Sequence, residues 1–140
     1  MDIKNYIGGE FVSPVQGNWI ENYNPSSGQI YGLIPNSTKE DIENAYKAAK
    51  AAFSSWSQTT LENRSKILSR IARSITEKLP ELAISETADN GKPLHLAKSI
   101  DIPRAAANFQ FFADAITQFS SESHESTGLD AINFTLRQPI

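Results

Sequence analysis

The sequence has no cysteine, so its residues can form no disulfide, offer no thiolate to a metal and supply no cysteine nucleophile. Nor is there an excess of positive charge: 13 Lys and Arg stand against 16 Asp and Glu, a formal net charge of -3. Duplex binders concentrate basic residues into a patch or stripe, so nucleic acid is not an expected partner. Apolar runs are short. None approaches the roughly 20 residues of a bilayer-spanning helix, and the opening MDIKNYIGGE lacks the apolar core of a signal peptide. The expectation is a cytoplasmic chain that engages no membrane.

Self-contained catalytic motifs are missing as well. There is no glycine-rich phosphate loop between strand and helix, no HExxH pair and no nucleophile elbow. His95 and His124 lie far apart and read as surface residues, and Glu122 and Glu125 sit in a polar stretch that needs no catalytic explanation. What is present is the composition of an ordinary globular domain, 39% hydrophobic and 21% charged over 140 residues.

Residues 3 to 34 carry β signals. Two short apolar runs flank Gly8-Gly9, a pair suited to a tight hairpin turn, and Gly17 and Asn18 punctuate the chain before the next strand. Trp19 to Tyr23 reads as a strand, Asn24-Pro25-Ser26-Ser27-Gly28 as a turn, and Gln29 to Ile34 as the returning strand of a small meander. At Ser37 the period changes toward 3.6. Ser37 and Glu40 have capping-box spacing, and Ile42, Ala45, Ala49, Ala52 and Phe53 predict a helix to about Ser54, with Trp56 plugging the loop beyond it. Thr59 with Glu62 repeats the signature. Leu61, Ile67, Leu68, Ile71, Ala72 and Ile75 then form a stripe opposite Arg64, Arg70 and Arg73, which read as a solvated face. A third helix is expected from Pro80 to about Ala88, carrying Leu82, Ala83 and Ile84.

The stretch from Glu86 to Phe112 holds the polar pattern that packing does not explain. In Asp89-Asn90-Gly91-Lys92-Pro93, Gly91 can take the positive φ that ends a helix and Pro93 can open the next element. Asp89 can cap, hold the turn or bind a cation together with carbonyls. Leu94 to Ile100 reads as a short helix or turn, and Pro103 as part of the first turn of a longer helix ending near Phe119. On that helix Ala106, Phe109, Ala113 and Ile116 share one face, whereas Arg104, Asn108, Phe111 and Ala115 share another. Arg104 is thus either a snorkelling surface side chain or a bidentate partner for a carboxylate. Residues 120 to 128 read as a polar loop. Asp130 to Gln138 alternates like an amphipathic strand, with no obvious partner nearby in sequence.

Six segments in order, YIGGEFV, NPSSGQIYGLIP, AYKAAKAAFSSWS, ENRSKILSRIA, ETADNGKP and NFQFFAD, resemble the N-terminal part of the NAD(P)-dependent aldehyde dehydrogenase superfamily. The resemblance covers essentially the whole chain. SIDIPRAAANFQFFAD is most similar to the enzymes acting on 2-hydroxymuconic or 2-aminomuconic semialdehyde. The resemblance implies an α/β fold: a β-meander, a run of helices and one strand of an oligomerisation ribbon. Residues 1–129 would belong to the NAD-binding domain and residues 130–140, with the strand Ala131 to Gln138, to the ribbon, its partner strands coming from distant sequence or a neighbouring subunit. The catalytic domain would lie outside these residues.

It further implies the chemistry. A cysteine thiolate attacks the aldehyde, hydride passes to the nicotinamide, and a glutamate-activated water releases the acid, with an asparagine amide and a backbone N–H holding the oxyanion. None of those groups falls in this sequence, so no catalytic and no cofactor-binding residue is expected here, and the chain alone is expected to be inactive. NAD, or NADP, would be bound by sequence beyond Ile140. The family position matching Arg104 lines the substrate tunnel, where an arginine would favour an aldehyde bearing a carboxylate. Asn22, Tyr23 and Asp89 match a structural monovalent-cation site in which backbone carbonyls and one carboxylate bind sodium or potassium. The partners implied are a small aldehyde and further copies of the subunit, as a homodimer or homotetramer. The competing reading is a non-catalytic helical module that presents its C-terminal strand to a partner.

Overall fold

The computed structural model describes residues 2–137. Strands β1 (Asn5–Ile7) and β2 (Glu10–Val12) form one antiparallel hairpin, and β3 (Trp19–Asn24) and β4 (Gln29–Pro35) a second. The expected meander therefore consists of two hairpins. A parallel bridge from Asp2 to Leu33, with Ile3 N–H donating to Leu33 O at 2.8 Å, lays the chain start beside β4.

Helix α1 (Lys39–Trp56) starts one residue later than the Ser37 signature indicates. Ser37 is engaged elsewhere, its hydroxyl accepting from Asn5 Nδ2 at 2.8 Å. The box is made by Thr38 and Asp41: Asp41 Oδ2 accepts from Thr38 N–H at 2.7 Å and from its hydroxyl at 3.1 Å. Asp41 Oδ1 also accepts from Val15 N–H at 2.9 Å, and these backbone donors hold the carboxyl below its ordinary pKa. An aspartate thus caps the helix and fastens the loop after β2 to it. The apolar stripe of α1 is uncovered, with Ile42 66% and Phe53 43% exposed.

Helix α2 (Leu61–Glu77) is capped by Thr60, whose hydroxyl accepts from Asn63 N–H at 3.3 Å, and not by Thr59. Arg70 and Arg73 are exposed as expected, but Arg64 departs from the solvated-face reading. Its guanidinium donates to Trp56 O at 3.1 Å and Ser57 O at 3.2 Å and lies 5.6 Å from the Trp56 ring. A cation at the end of α1 meets carbonyls with no intrahelical donor, which favours this arrangement over solvent. Trp56 is accordingly the last residue of α1, and its ring forms the floor under Arg64.

Helix α3 (Leu79–Asn90) ends on Gly91 at φ 76, the left-handed cap that the sequence indicates. A short α4 (Leu94–Leu96), a π turn (Ala97–Asp101) and α5 (Ile102–Ala115) then run on without interruption. Pro103 therefore sits inside a longer helical run. In an α-helix its ring would meet the carbonyl four residues back. The wider π turn, closed by Ile102 N–H donating to Ala97 O, accommodates the ring and absorbs the missing donor.

The apolar core among the described residues is made of Ala72, Ala83, Ala97, Ala106 and Ala113, drawn from α2, α3, the π turn and α5. Ala106 and Ala113 bear out the expected stripe of α5, but Phe109, at 37% exposed, lies at its margin.

The tail corrects the sequence reading. β5 (Ser123–Ser126) lies within the stretch read as a loop, and it pairs antiparallel with β6 (Ala131–Phe134). Gly128 at φ 99 and Asp130 at φ 50 make the tight turn between them. β5 is polar throughout, SHES, so hydrophobic alternation could not reveal it. The far end of the expected strand, Gln138, falls outside the described residues, as does Pro139-Ile140.

Gly91 is where the second hairpin meets α3. A Cβ built there would lie 3.1 Å from Pro25 Cγ and 3.4 Å from Pro25 Cβ. Gly91→Ala adds this contact to the left-handed penalty, and the full-length protein is expected to lose about 2 kcal/mol. Thermal denaturation checks this, and an unchanged Tm would refute the close docking of Pro25 on Gly91.

Candidate functional site

Two groups of polar residues stand out. The first joins the β3–β4 hairpin to the end of α3. Strand pairing runs Asn22 to Gly32 and then Tyr23 to Ile30, leaving Tyr31 as the extra residue of a bulge. A bulge re-aims the side chain it carries. Here it sends the Tyr31 hydroxyl to Asp89 Oδ1, to which it donates a hydrogen bond. Asn22 Nδ2 donates to the same oxygen at 3.0 Å and to Tyr31 Oη at 2.9 Å.

Of the three residues proposed for a cation, Asn22 and Asp89 are therefore brought together. The Tyr23 side chain is directed elsewhere, its hydroxyl donating to Glu21. Successive strand residues point to opposite faces, so Tyr23 can offer this cluster only its backbone carbonyl. No group of three or more His, Cys, Asp or Glu suited to a metal occurs among the described residues. Tyr31 escaped the sequence reading because nothing in QIYGLIP signals the bulge beyond the neighbouring glycine.

Hydrogen bonds from Tyr31 and then Asn22 lower the Asp89 pKa, and the bond to Asp89 raises that of Tyr31. For the depressed carboxyl, the stabilisation is fully present above the ordinary aspartate value of 3.8 and is lost as pH falls through its lower folded value. Tyr31→Phe removes the donor at every pH. Its Tm deficit relative to wild type in the full-length protein is expected to narrow as pH drops below 3.8. A deficit independent of pH would show that the bond does not discriminate the carboxylate from the acid.

The second group lies on α5 and its approach. Arg104 is exposed, on the helical side away from the Ala106 and Ala113 seam, and makes no hydrogen bond or ion pair with another described residue. Asn108 is also exposed, and Phe111 and Ala115 line an open groove of about 360 Å³ with Asp114, Gln118 and Phe119. Just before α5, Lys92 Nζ lies 2.6 Å from Asp101 Oδ2. His95 and His124 are exposed, as expected. No helix among the described residues is long and apolar enough to cross a membrane.

The arrangement of hairpins, helices and tail ribbon belongs to a known architecture. The profile of the aldehyde dehydrogenase family matches residues 11–140, and the chain belongs to that family. Among curated relatives, it is 41% identical to the 2-aminomuconic semialdehyde dehydrogenase of Bos taurus, over 99% of this chain and 28% of the relative. It is 37% identical to the 2-hydroxymuconic semialdehyde dehydrogenase of Pseudomonas sp. strain CF600, over 99% and 29% respectively. Among solved structures, an aldehyde dehydrogenase from Bacillus cereus determined as its NAD+ complex superposes with a TM-score of 0.90 at 34% identity. That match covers 96% of this chain and 28% of the other. The chain thus spans somewhat over a quarter of the length of these relatives.

Proposed function

We propose that this chain is part of an enzyme that oxidises a carboxylate-bearing semialdehyde, such as 2-hydroxymuconic semialdehyde, to the corresponding acid. NAD(P)+ accepts the hydride and water supplies the second oxygen. The observation that carries the reading is Arg104: an exposed guanidinium with no partner among the described residues, on the face of α5 that also presents Asn108, Phe111 and Ala115. A free planar fork of donors suits a carboxylate, which it can hold through two parallel charge-assisted bonds. The two relatives compared above are named for muconic semialdehydes, which supports that substrate class.

The chemistry-bearing groups and the cofactor contacts are assigned to sequence other than these residues, and the exposed β5–β6 ribbon to contact with a second subunit. The Asp89 cluster supports a singly charged cation better than a divalent one. It holds a single carboxylate, whose Oδ1 already takes two hydrogen bonds and whose Oδ2 takes none from another described residue.

Arg104→Ala in the full-length enzyme is expected to raise KM for a carboxylate-bearing semialdehyde by about tenfold or more, the strength of one charge-assisted pair. KM for a neutral aldehyde of similar size should stay within about twofold. Equal effects on the two substrates would rule out the carboxylate contact.

A further inference from the structure

Arg104 has an acidic neighbour one helical turn before it. Asp101 and Arg104 stand at i and i+3, with the acid on the N-terminal side, the order that favours an intrahelical ion pair. That pair is not formed. Asp101 Oδ2 is buried, and its charge is met by the Lys92 ammonium at 2.6 Å. Lys92 reaches it from within the Gly91–Pro93 break, its side chain 37% exposed against 25% for Asp101. Lys98, the other cation close by, precedes Asp101 by three residues within the π turn. It has the less favourable order, and the wider pitch carries it off the Asp101 row.

We propose that Lys92 is a positioning residue: by occupying the Asp101 carboxylate it keeps the Arg104 guanidinium available to the substrate carboxylate. The inference rests on Arg104 being the carboxylate contact. A partly buried carboxylate deprived of its ammonium seeks another cation, because an unpaired charge in that position is costly. Arg104 is the side chain that helical geometry places within reach. Once its fork faces Asp101, fewer donors remain for a substrate, and the substrate must displace an internal competitor. The Lys92–Asp101 pair therefore acts on substrate selection without touching the substrate.

The test uses four variants of the full-length enzyme, each assayed with a carboxylate-bearing semialdehyde and with a neutral aldehyde of the same length. Lys92→Met keeps the apolar stem and is expected to raise KM for the charged substrate by about two- to fivefold, the range of a competing surface ion pair. Its kcat, and both constants for the neutral substrate, should be unchanged. Asp101→Asn removes the competitor and should leave KM for the charged substrate at or below the wild-type value. The double variant Lys92→Met/Asp101→Asn should return KM to near wild type, an outcome that a merely structural role for Lys92 would not produce. A raised KM that persists in the double variant, or a rise caused by Asp101→Asn alone, would overturn the proposal, as would Lys92→Met without effect where Arg104→Ala has one. If Arg104→Ala itself fails to discriminate the two substrates, the reading of Arg104 falls, and the role of Lys92 with it.

Discussion

Close approach of helices across alanine is the constraint on which this structure depends. α2, α3, the π turn and α5 meet through Ala72, Ala83, Ala97, Ala106 and Ala113, and no larger apolar side chain among the described residues is fully buried. Small side chains let backbones come near one another, but each removes little apolar surface from water. The seam thus fixes geometry more than it supplies stability. The larger groups, Ile42, Tyr46, Ile84, Phe111 and Phe112, point outward. These side chains leave the outer faces of the helices unpartnered among the described residues.

Polar staples do the joining that hydrophobic burial does not. Asp41 binds the loop after β2 to the start of α1, Arg64 ties the end of α1 to α2, and Asp89 binds the second hairpin to the end of α3. Asp41 and Arg64 satisfy backbone groups that a loop and helix termini leave open, whereas Asp89 accepts from two side chains, those of Tyr31 and Asn22. The Asp89 cluster has a second effect. It fixes the helix end immediately before Gly91, and hence the place from which Lys92 reaches Asp101.

Much of the fold is legible in the sequence. Proline, glycine and the 3.6 period mark three helices to within a few residues, and Gly91 is recognisable as a left-handed cap because few other residues tolerate that conformation. Capping signatures are ambiguous by one position, since Ser37-Thr38 and Thr59-Thr60 each offer two hydroxyls and only tertiary contacts choose between them. Tyr31, Arg64 and β5 are not legible, and for related reasons. A bulge, a long side chain turning back to a distant carbonyl, and an all-polar strand leave no periodic trace. Of the proposed site residues, Arg104 is singled out by its phase on α5. The Lys92–Asp101 pair escapes such reasoning because it joins the break between two helices to the turn beyond, and spacing arguments treat such a break as a boundary.

The π turn couples two positions of the chain. It contains one residue more than an α-helical turn needs, so removing a residue from Ala97–Asp101 would restore regular pitch without rotating the face that bears Arg104. Regular pitch, however, would bring the Pro103 ring against the carbonyl four residues earlier. A chain that lost the extra residue would therefore have to lose the proline as well, or the helix that carries Arg104 would be distorted. The proline thus depends on the one extra residue of the turn, whereas the turn does not depend on the proline.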